Sequence, residues 1–411
     1  MAITSSFSNM LNEFVNEDLL YNEMKKKNWF MANLPTEKNW LGGAYKIPFV
    51  GAVGTSVAFG AYTDAADISE ETTVRGSVDF AEMTSSMIFN NKDISQHGTV
   101  SEQNFLKMLP DAIMRHTKFV DRLVSTSMLG GGYISAVTAD GTSGGLITVD
   151  DPERFQLKQK VFVDDGDSSP SAAGYIRAIN SNTGVLTIFD AITGGSVINL
   201  STYTVAQAAK IYAPGQQVSG FASLRGILLP STDGGDASYA GVTKTDYQHT
   251  QAISSSGSDI TATNILTKLF DFLTLVRKRG QGNPTKCVMS WKNYASCLKS
   301  LESSKGAFNV RPGAASAEVF PWDSTTIGGF AGSMELVAVH EASNAEIVLL
   351  DLDSMKFASN GGFKRVKTPE GLEYFTVRAT TGHSYIVDHC MQGNLIVKAP
   401  ANNGILHSIS Y

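Results

Sequence analysis

The chain has 411 residues, of which 42% are hydrophobic and 18% charged, and its formal net charge is −6 at pH 7. A chain of this length buries a sizeable core without disulfides or a structural metal, and its apolar content excludes general disorder. The acidic balance argues against a dedicated nucleic-acid-binding protein, which would carry a basic domain or stripe. The low charge and the 38 glycines are also compatible with a surface that other protein largely covers.

The N-terminal sequence, the apolar runs and the cysteines further restrict the class of protein. Residues 1–10 lack a basic segment followed by an apolar one, so we expect no secretory signal. No apolar run approaches the length of about 18 residues that a transmembrane helix needs. Cys287, Cys297 and Cys390 are odd in number and lack metal-ligand spacing, which predicts reduced, buried thiols in a protein made in the cytosol.

Residues 4–33 are predicted to form an amphipathic helix. Apolar side chains recur there near helical spacing, with Asn, Glu and Asp between them. These apolar residues are Phe7, Leu11, Phe14, Leu19 and Met24. The helix precedes any compact domain, so it is either an arm that needs a surface to lie on or an ordinary first helix of a domain.

Residues 45–90 are predicted to form a long β-hairpin. Residues 45–50 are strand-like, and a second strand-like stretch contains Val78, Phe80, Met87 and Phe89. Its arms would reach roughly 45 Å, and a two-stranded ribbon alone is marginal in water. Adjacent sequence offers little to cover the hairpin, so a neighbouring subunit is the natural surface for it.

The longest helical signal covers residues 99–128. Thr99 and Glu102 match a capping box, and an apolar stripe follows them. Pro110 should kink this helix or start its second half, and the glycines that begin at Gly130 should end it.

Residues 145–213 change to short strand signals that alternate with turns. Residues 180–184 have the composition of a hairpin loop. About 70 residues with several short strands suit a small β-barrel or sandwich that is inserted into a larger fold.

The rest of the chain mixes helices with strands. We predict a strand at residues 224–229, a helix at 265–278, a buried strand at 287–289 and a helix at 291–302. The C-terminal part is β-rich, with predicted strands at residues 335–339, 345–350, 373–380 and 395–398.

Two patterns resemble active or metal sites, and a structural interpretation explains each of them better. Residues 141–145 match the nucleophile-elbow pattern around Ser143, but a β-rich insert follows where that motif needs a helix. His383 and His389 lie near Asp388 and Cys390, yet adjacent residues of a strand face opposite ways.

A third pattern is a run of carboxylates at a turn. Asp164, Asp165 and Asp167 crowd together, but the Glu that closes an EF-hand loop does not follow. A solvated turn is the favoured interpretation, with weak cation binding as the alternative. We therefore expect no catalytic residue, no metal site and no cofactor.

The order of these elements resembles the major capsid proteins of tailed phages, whose Hong Kong ninety-seven-like fold encapsulins share. An N-terminal arm, a long hairpin and a long helix precede a mixed α/β part that ends in strands. Local passages agree, namely Phe-Ala-Ser-Leu-Arg-Gly-Ile-Leu at residues 221–228 with the loop through 239–242, residues 284–294 and residues 347–357. The resemblance covers nearly the whole chain and is one of order and pattern.

The resemblance implies an α+β phage major capsid fold with peripheral and axial domains and an inserted small β-barrel or sandwich. The implied segments are an N-terminal arm (1–44), an extended loop (45–98), the peripheral domain with the spine helix (99–144), the inserted β domain (145–215), a continuation of the peripheral domain (216–262), the axial domain (263–365) and a return to the peripheral domain (366–411).

The resemblance also implies a function. Copies of a major capsid protein assemble as hexamers and pentamers into an icosahedral shell, which encloses double-stranded DNA without sequence-specific binding or enzymatic activity. The implied partners are further copies of the chain, a portal protein and scaffolding proteins. A decoration protein is a further candidate partner that the sequence does not decide. No membrane is implied. The location is the virion capsid, after assembly in the host cytoplasm.

Assembly residues follow from the arm and the hairpin. The predicted interface consists of apolar residues that a single chain should leave uncovered: Phe7, Leu11, Phe14, Phe49, Val50, Phe59, Val78, Phe80 and Phe89. Gly51, Gly54 and Gly60 are predicted hinges that let the hairpin bend differently in hexamers and pentamers.

Two departures from the family pattern matter. Some members begin with a large scaffold segment that a protease removes, whereas the arm begins here within the first few residues, so we expect a separate scaffolding protein or a mature form. Some members also cross-link subunits through a Lys of the extended loop. No Lys lies between Ile47 and Asn91, so we expect no such isopeptide bond.

Three alternatives remain open at the level of sequence. The first is an encapsulin-type cellular compartment with an enclosed enzyme as cargo, which has the same fold. The second is a soluble hydrolase that uses Ser143, and the missing helix after the motif argues against it. The third is a phage tail-tube or adhesin protein, which the long central helix disfavours.

Overall fold

The structure is a computed structural model that describes residues 29–37, 40, 43–52, 72–90, 102–164, 172–206, 208–246, 250–279, 282–303, 310–312, 324–329, 332–366, 375–379 and 382–409. The α-helices in these ranges are α1 (Trp29–Asn33), α2 (Glu102–Leu129), α3 (Gln216–Ser219), α4 (Leu224–Leu228), α5 (Ile265–Arg279) and α6 (Trp291–Ser303). Short 3-10 turns lie at Pro152–Arg154, Ser231–Asp233, Lys244–Asp246, Leu352–Ser354 and Pro400–Asn402.

The strands of the same ranges are β1 (Thr36–Glu37), β2 (Tyr45–Ala52), β3 (Thr72–Val78), β4 (Ala81–Asn90), β5 (Ser135–Ala139), β6 (Leu146–Val149), β7 (Lys160–Asp164), β8 (Ala172–Asn180), β9 (Val185–Phe189), β10 (Lys210–Tyr212), β11 (Ser238–Tyr239), β12 (Val242–Thr243), β13 (Ile253–Ser256), β14 (Lys286–Met289), β15 (Val310–Pro312), β16 (Ser324–Gly329), β17 (Gly332–Ala338), β18 (Ile347–Leu350), β19 (Met355–Arg365), β20 (Phe375–Ala379), β21 (Gly382–Val397) and β22 (Gly404–His407). The fold is therefore mixed α+β.

Two compact units share the chain. The first comprises Met1–Ala32, Ala81–Phe221 and Gly362–Gln392, and the second comprises Asn33–Phe80, Ala222–Gly361 and Gly393–Tyr411. Each unit is therefore built from three separate stretches of sequence.

A closed barrel is the main β structure of the first unit. Its strands follow the order β10-β5-β6-β9-β8-β7. Alternate residues point inward, as in β9, where Leu186 and Ile188 are buried between half-buried neighbours. The predicted turn at residues 180–184 is confirmed: the Asn180 side chain accepts hydrogen bonds from the backbone of Asn182 and Thr183.

The sequence predicted a small β domain here, but the predicted N-terminal boundary lies too far along the chain. Strand β5 belongs to it and begins at Ser135, ten residues before the predicted start of the insert at residue 145. Its interior is a continuous apolar cluster that includes Ile134, Val161 and Ile211. A closed barrel leaves no unpaired strand edge, so this part of the chain needs no further partner for its backbone.

Helix α2 also belongs to the first unit. Val120, Val124 and Met128 recur at a spacing of four residues and are buried, which places one apolar stripe against the core. Gly130 follows directly, and its backbone nitrogen donates to the carbonyl oxygen of Thr126. A Cβ at Gly130 would lie 2.8 Å from that same oxygen, which explains why glycine ends the helix.

The second unit contains a seven-stranded sheet with the order β13-β22-β18-β14-β17-β16-β15. Helices α5 and α6 pack on it through a cluster that includes Leu269, Phe272 and Cys297. The predicted helices and the strand at residues 287–289 are confirmed. Three further sheets are present in the described ranges: β2-β3, β11-β12 and a five-stranded sheet in which β1, β19, β21 and β20 are neighbours and β4 pairs with β21.

The predicted strand at residues 224–229 is wrong, because these residues form helix α4. The Ser223 side chain caps its first turn by accepting from the backbone nitrogen of Gly226. At the other end, the buried ammonium of Lys244 donates to the carbonyl oxygens of Gly226 and Leu229. Burial lowers the pKa of Lys244 to about 8. A short apolar run is compatible with a strand or with a buried helix. Lys244, whose ammonium binds the helix carbonyls, lies outside the run, so the run itself gives no local signal for the helix.

Candidate assembly surfaces

The base of the predicted hairpin exists, but its second arm is β3 rather than the stretch around residues 80–90. Strand β2 pairs with β3 in a register that sets Tyr45 opposite Val78 and Phe49 opposite Val74. Strand β4 instead pairs with β21. The prediction that residues 78–90 form one arm of the hairpin is therefore wrong.

The reason for assigning Phe49 and Val78 to an interface is also wrong. We expected a single chain to leave them uncovered, yet Phe49 is 2% and Val78 is 6% exposed. The ring of Phe49 lies 6.0 Å from that of Tyr239. The base of the hairpin is thus fixed against its own chain, and a neighbouring copy can contact it only through other residues.

Phe80 is half-buried and stacks on Trp40. Their ring centroids are 3.6 Å apart with an interplanar angle of 20°. The indole nitrogen of Trp40 donates to the carbonyl oxygen of Gly43, and the Trp40 backbone nitrogen donates to that of Ser359. Phe80 therefore has a partner within its own subunit.

The other predicted interface and hinge residues divide into two groups. Phe7, Leu11, Phe14, Phe59, Gly54 and Gly60 lie outside the described residues. Val50 and Gly51 are in β2, and Phe89 is in β4. Their role in assembly stays a prediction.

A large groove in the first unit is the most prominent candidate surface. It has a volume of about 880 Å³ and lies between β4, helix α2 and the barrel. Phe119 and Leu123 lie one helical turn apart and give it an apolar wall. Ile88 on β4 and Leu157 on the barrel also line it, with 66% and 61% of their surfaces exposed.

The groove runs along the edge of β4 rather than over one of its faces. Successive residues of a strand point to opposite faces, so a groove over one face would be lined by every second residue. Glu82, Met83, Thr84, Ser85 and Ser86 all line this one. Among the described strands, β4 pairs with β21 alone, so its other edge has no strand partner within the described ranges.

Two buried polar atoms in the groove have no hydrogen-bond partner within the described residues. The Ser127 hydroxyl and the Gln216 side-chain nitrogen are buried and form no hydrogen bond within the described residues. Ser127 is 3% exposed. Lys158 and Lys160 line the barrel side of the groove. Buried polar atoms normally have partners, so these atoms indicate a surface that is completed by something else.

The structure places most of the residues in the patterns that resembled catalytic or metal sites. Ser143 is exposed in a tight turn between β5 and β6, so no helix follows it. His389 is buried and His383 lies on the same strand, opposite Arg378. Asp164 accepts a hydrogen bond from Gln217, and Asp165 and Asp167 lie outside the described residues. The described part of the chain holds no group of three or more His, Cys, Asp or Glu that could bind a metal ion.

The cysteines agree with the prediction in part. Cys287 and Cys297 are fully buried, and burial raises the pKa of both thiols. Cys390 is half-buried and donates to the Glu82 carboxylate at 3.2 Å. Burial and then Glu82 raise the pKa of Cys390 to about 12, so this thiol stays protonated. No helix in the described ranges is long and apolar enough to cross a membrane.

Comparisons with known proteins found similar chains among solved structures. No family model and no curated protein matches the chain. Among solved structures it is similar to the capsid asymmetric unit of cyanophage A-1(L), with 12% identity, coverage of 92% of this chain and 91% of that chain, and a TM-score of 0.46. It is also similar to the capsid of an empty GTA particle, with 9% identity, coverage of 93% and 96%, and a TM-score of 0.46.

A virus-like particle from Pyrococcus furiosus is a third similar structure, with 9% identity, coverage of 94% and 96%, and a TM-score of 0.34. By their descriptions, these three structures are two capsids and a virus-like particle.

The sequence did not reveal the groove. Its residues come from three distant stretches, around residues 82–88, 116–127 and 156–221. The alternating pattern of β4 predicts a strand but not its partner. Lys158 and Lys160 of the barrel give only a weak sequence signal for the groove, because two lysines on a β-hairpin usually lie on a solvated surface.

Proposed function

We propose that this chain is the major capsid protein of a tailed bacteriophage, whose copies assemble as hexamers and pentamers into an icosahedral shell around the genome. The single observation that carries the proposal is the groove along the unpaired edge of β4. A shell subunit must present surfaces that remain incomplete until another copy arrives, and this groove is such a surface.

An extended segment is the kind of partner that fits the groove. A free strand edge offers a row of backbone donors and acceptors, and an added strand pairs with them while alternate side chains enter pockets. The Ser127 hydroxyl and the Gln216 side-chain nitrogen, which form no hydrogen bond within the described residues, line the groove where such a segment would run. The apolar wall at Phe119 and Leu123 would cover its apolar side chains.

The segment between β2 and β3 of a neighbouring copy is the proposed occupant. Residues 53–71 join the two strands, and Asp64, Asp67, Glu70 and Glu71 make them acidic. Lys158 and Lys160 on the barrel side supply the opposite charge. The base of the hairpin is buried in its own chain, so under this proposal the residues between β2 and β3 contact the neighbouring copy.

Assembly through many such contacts would give a stable shell. Obligate interfaces bury on the order of 2,000 to 5,000 Å². At about 25 cal/mol per Å² the gross gain is tens of kcal/mol, and ordering costs reduce it sharply. The net charge of −6 fits a shell that encloses DNA without binding it tightly. Portal, scaffolding and decoration proteins would be further partners.

Electron microscopy of the purified chain and of an Ile88→Asp variant tests the proposal. Ile88 is exposed and lines the groove, so the variant should fold and yet fail to close shells. Ile192→Asp is the matched control, because Ile192 is 46% exposed on the barrel and does not line the groove. Normal shells from Ile88→Asp would refute the role of the groove.

The contents of the particles separate a phage capsid from a cellular compartment. Particles purified from the native source should contain double-stranded DNA. An enclosed enzyme instead of DNA would overturn the viral assignment and favour the encapsulin-type alternative. Tubes, or single subunits that never assemble, would contradict both.

A further inference from the structure

The barrel of the first unit has two ends, and the groove lies at only one of them. Strand β10 pairs antiparallel with both β5 and β7, so β5 and β7 begin at the same end. Most of the barrel residues that line the groove lie there, at 156–160 just before and in β7 and at 213–216 just after β10. The opposite end, where β5 and β9 finish, is formed by the turn at residues 140–145 and the connection at residues 190–205. We call it the distal end.

The two segments of the distal end are fastened to each other. The backbone nitrogen of Leu200 donates to the carbonyl oxygen of Thr142 at 3.0 Å. Val197 lies beside Gly145, because a Cβ added at Gly145 would be 3.1 Å from the Val197 Cβ. The distal end is therefore one continuous surface rather than two separate loops.

Exposed apolar side chains are concentrated at the distal end. Among the described residues, seven large apolar side chains are exposed, and four of them lie here, with 41% to 46% of their surfaces exposed: Leu146, Ile192, Val197 and Val205. Of the other three, Ile88 and Leu157 line the groove. Single exposed apolar residues are ordinary, whereas a group of them on one surface marks an interaction site.

The charged groups of the distal end are engaged within the subunit. Its two segments contain two charged side chains, Asp140 and Asp190. Asp140 accepts a hydrogen bond from the backbone nitrogen of Val205, and Asp190 accepts one from that of Ser196, both at 2.8 Å. Arg177 of β8 reaches the same connection, where it donates to a backbone carbonyl oxygen. Apolar side chains with little charge are the composition of the core of a protein interface.

A second copy of this chain is the partner that this composition fits. The chain has a net charge of −6, so two copies repel each other where their carboxylates meet. At the distal end both carboxylates are bound by their own backbone, so two such surfaces can meet without this repulsion. DNA or an anionic membrane would instead need cations, and Arg177 is already held by its own subunit.

We propose that the distal end of the barrel is a self-complementary contact between two copies of this chain in the assembled shell. The shell itself rests on the proposed function, whereas the contact is separate from the groove, which lies at the other end of the barrel. Four side chains that are each less than half exposed bury less than the roughly 1,200 Å² of a standard stable interface. The contact therefore acts once groove contacts have placed copies side by side, and Ile192→Asp should still close shells.

Cysteine cross-linking of particles of the full chain tests this contact. Leu146→Cys, Ile192→Cys and Val205→Cys each place a thiol at the distal end, and each alters an exposed side chain. Asn182→Cys is the matched control, because Asn182 is exposed in the turn between β8 and β9, at the opposite end of the barrel.

The readout is a denaturing gel without reductant, after treatment with a short bifunctional maleimide. At least one distal variant should give about tenfold more dimer than the control, because a shell holds neighbouring copies at a high effective concentration. The unaltered chain measures the background from its native cysteines, of which Cys287 and Cys297 are buried. If none of the three distal variants exceeds the control, the contact is refuted.

Two further outcomes separate the possible occupants and the two proposals. Distal thiols that are shielded from a monofunctional maleimide in particles, yet give no dimer, would show that a different protein covers this end and would overturn the second copy. If the chain forms no shells, the proposed function fails, and the same cross-linking on concentrated subunits still decides the contact: excess dimer from a distal variant supports it, and its absence refutes it.

Discussion

Trp40 and Phe80 stack nearly face to face, with ring centroids 3.6 Å apart, although forty residues and the whole β2–β3 hairpin separate them in sequence. The contact therefore closes the base of the hairpin at the point where the chain enters and leaves it. The indole also makes an edge contact with the ring of Tyr45, the first residue of β2. Trp40 therefore contributes both to holding the hairpin in place and to the stability of the subunit.

Replacing Trp40 with Ala should destabilise the subunit by about 3–5 kcal/mol, because the indole is 6% exposed and its removal leaves a cavity beside Phe80. Urea unfolding of the unassembled chain measures this. Trp291→Ala is the matched control, since Trp291 is 37% exposed and should cost far less. Equal losses from both substitutions would contradict the structural role of the stack.

The same contact changes how a Phe80→Asp variant must be interpreted. As a predicted interface residue, Phe80 would on replacement by Asp be expected to affect assembly alone. Because Phe80 stacks on Trp40, the charge would also weaken the subunit itself. A loss of shells from this variant identifies an interface only if its unfolding free energy matches that of the unaltered chain.

A second anchor of the hairpin should give the subunit a pH dependence. The Lys356 ammonium donates to the Glu37 carboxylate and to the Tyr45 hydroxyl oxygen. The hydrogen bond from Lys356 lowers the pKa of Glu37. This contribution to stability is present above the usual pKa of a glutamate and is lost as the pH falls through the lowered value.

Thermal unfolding between pH 6 and pH 3 measures that loss, and Glu37→Gln should flatten the acid limb of the profile. The effect should be small, because 42% of the Glu37 side chain is exposed and solvent screens the pair. Glu341→Gln serves as a control at a glutamate outside this network. An unchanged acid limb in Glu37→Gln would show that the ion pair does not contribute.

The parts of the fold that could be predicted from sequence are those whose signals are local. Helix α5 shows its apolar spacing and ends in Arg277, Lys278 and Arg279, which suit a helix C-terminus. The barrel shows alternating strands and an Asn-rich turn before Gly184, whose φ of +70° favours glycine. Each of these features is decided within about fifteen residues of the chain.

The parts that could not be predicted depend on distant partners. Residues 224–228 become a helix with Lys244 at its end, and Phe49 is covered by Tyr239. The pairing of β4 with β21 joins residues about three hundred positions apart. The local sequence of β4 therefore gives no signal that this strand lies beside helix α2 and the barrel.

Subunits in assembled particles should remain separate chains. No Lys lies between Ile47 and Asn91, so this part of the extended loop offers no side-chain amine for an isopeptide bond. A denaturing gel of particles should therefore show a single band near 44.0 kDa. A ladder of higher bands would contradict this, and mass spectrometry of the cross-linked peptide would then identify the amine that was used.

Gly76 tests whether the base of the hairpin must be rigid for assembly. A Cβ at this position would lie 2.6 Å from the Phe49 ring and 2.9 Å from the Ala240 side chain. Gly76→Ala should therefore displace the Phe49 ring and cost about 1–3 kcal/mol. Urea unfolding checks the cost, and hydrogen exchange of residues 45–52 checks its location.

Gly144→Ala is the matched control for this change. Gly144 lies in the exposed β5–β6 turn, and the nearest atom to an added Cβ is the Thr142 hydroxyl at 3.6 Å, an ordinary contact. This variant should unfold and assemble as the unaltered chain does. If Gly76→Ala also leaves stability, exchange and shell formation unchanged, then the contact of β3 with Phe49 and Ala240 does not fix the hairpin, and its tip must be positioned by other residues.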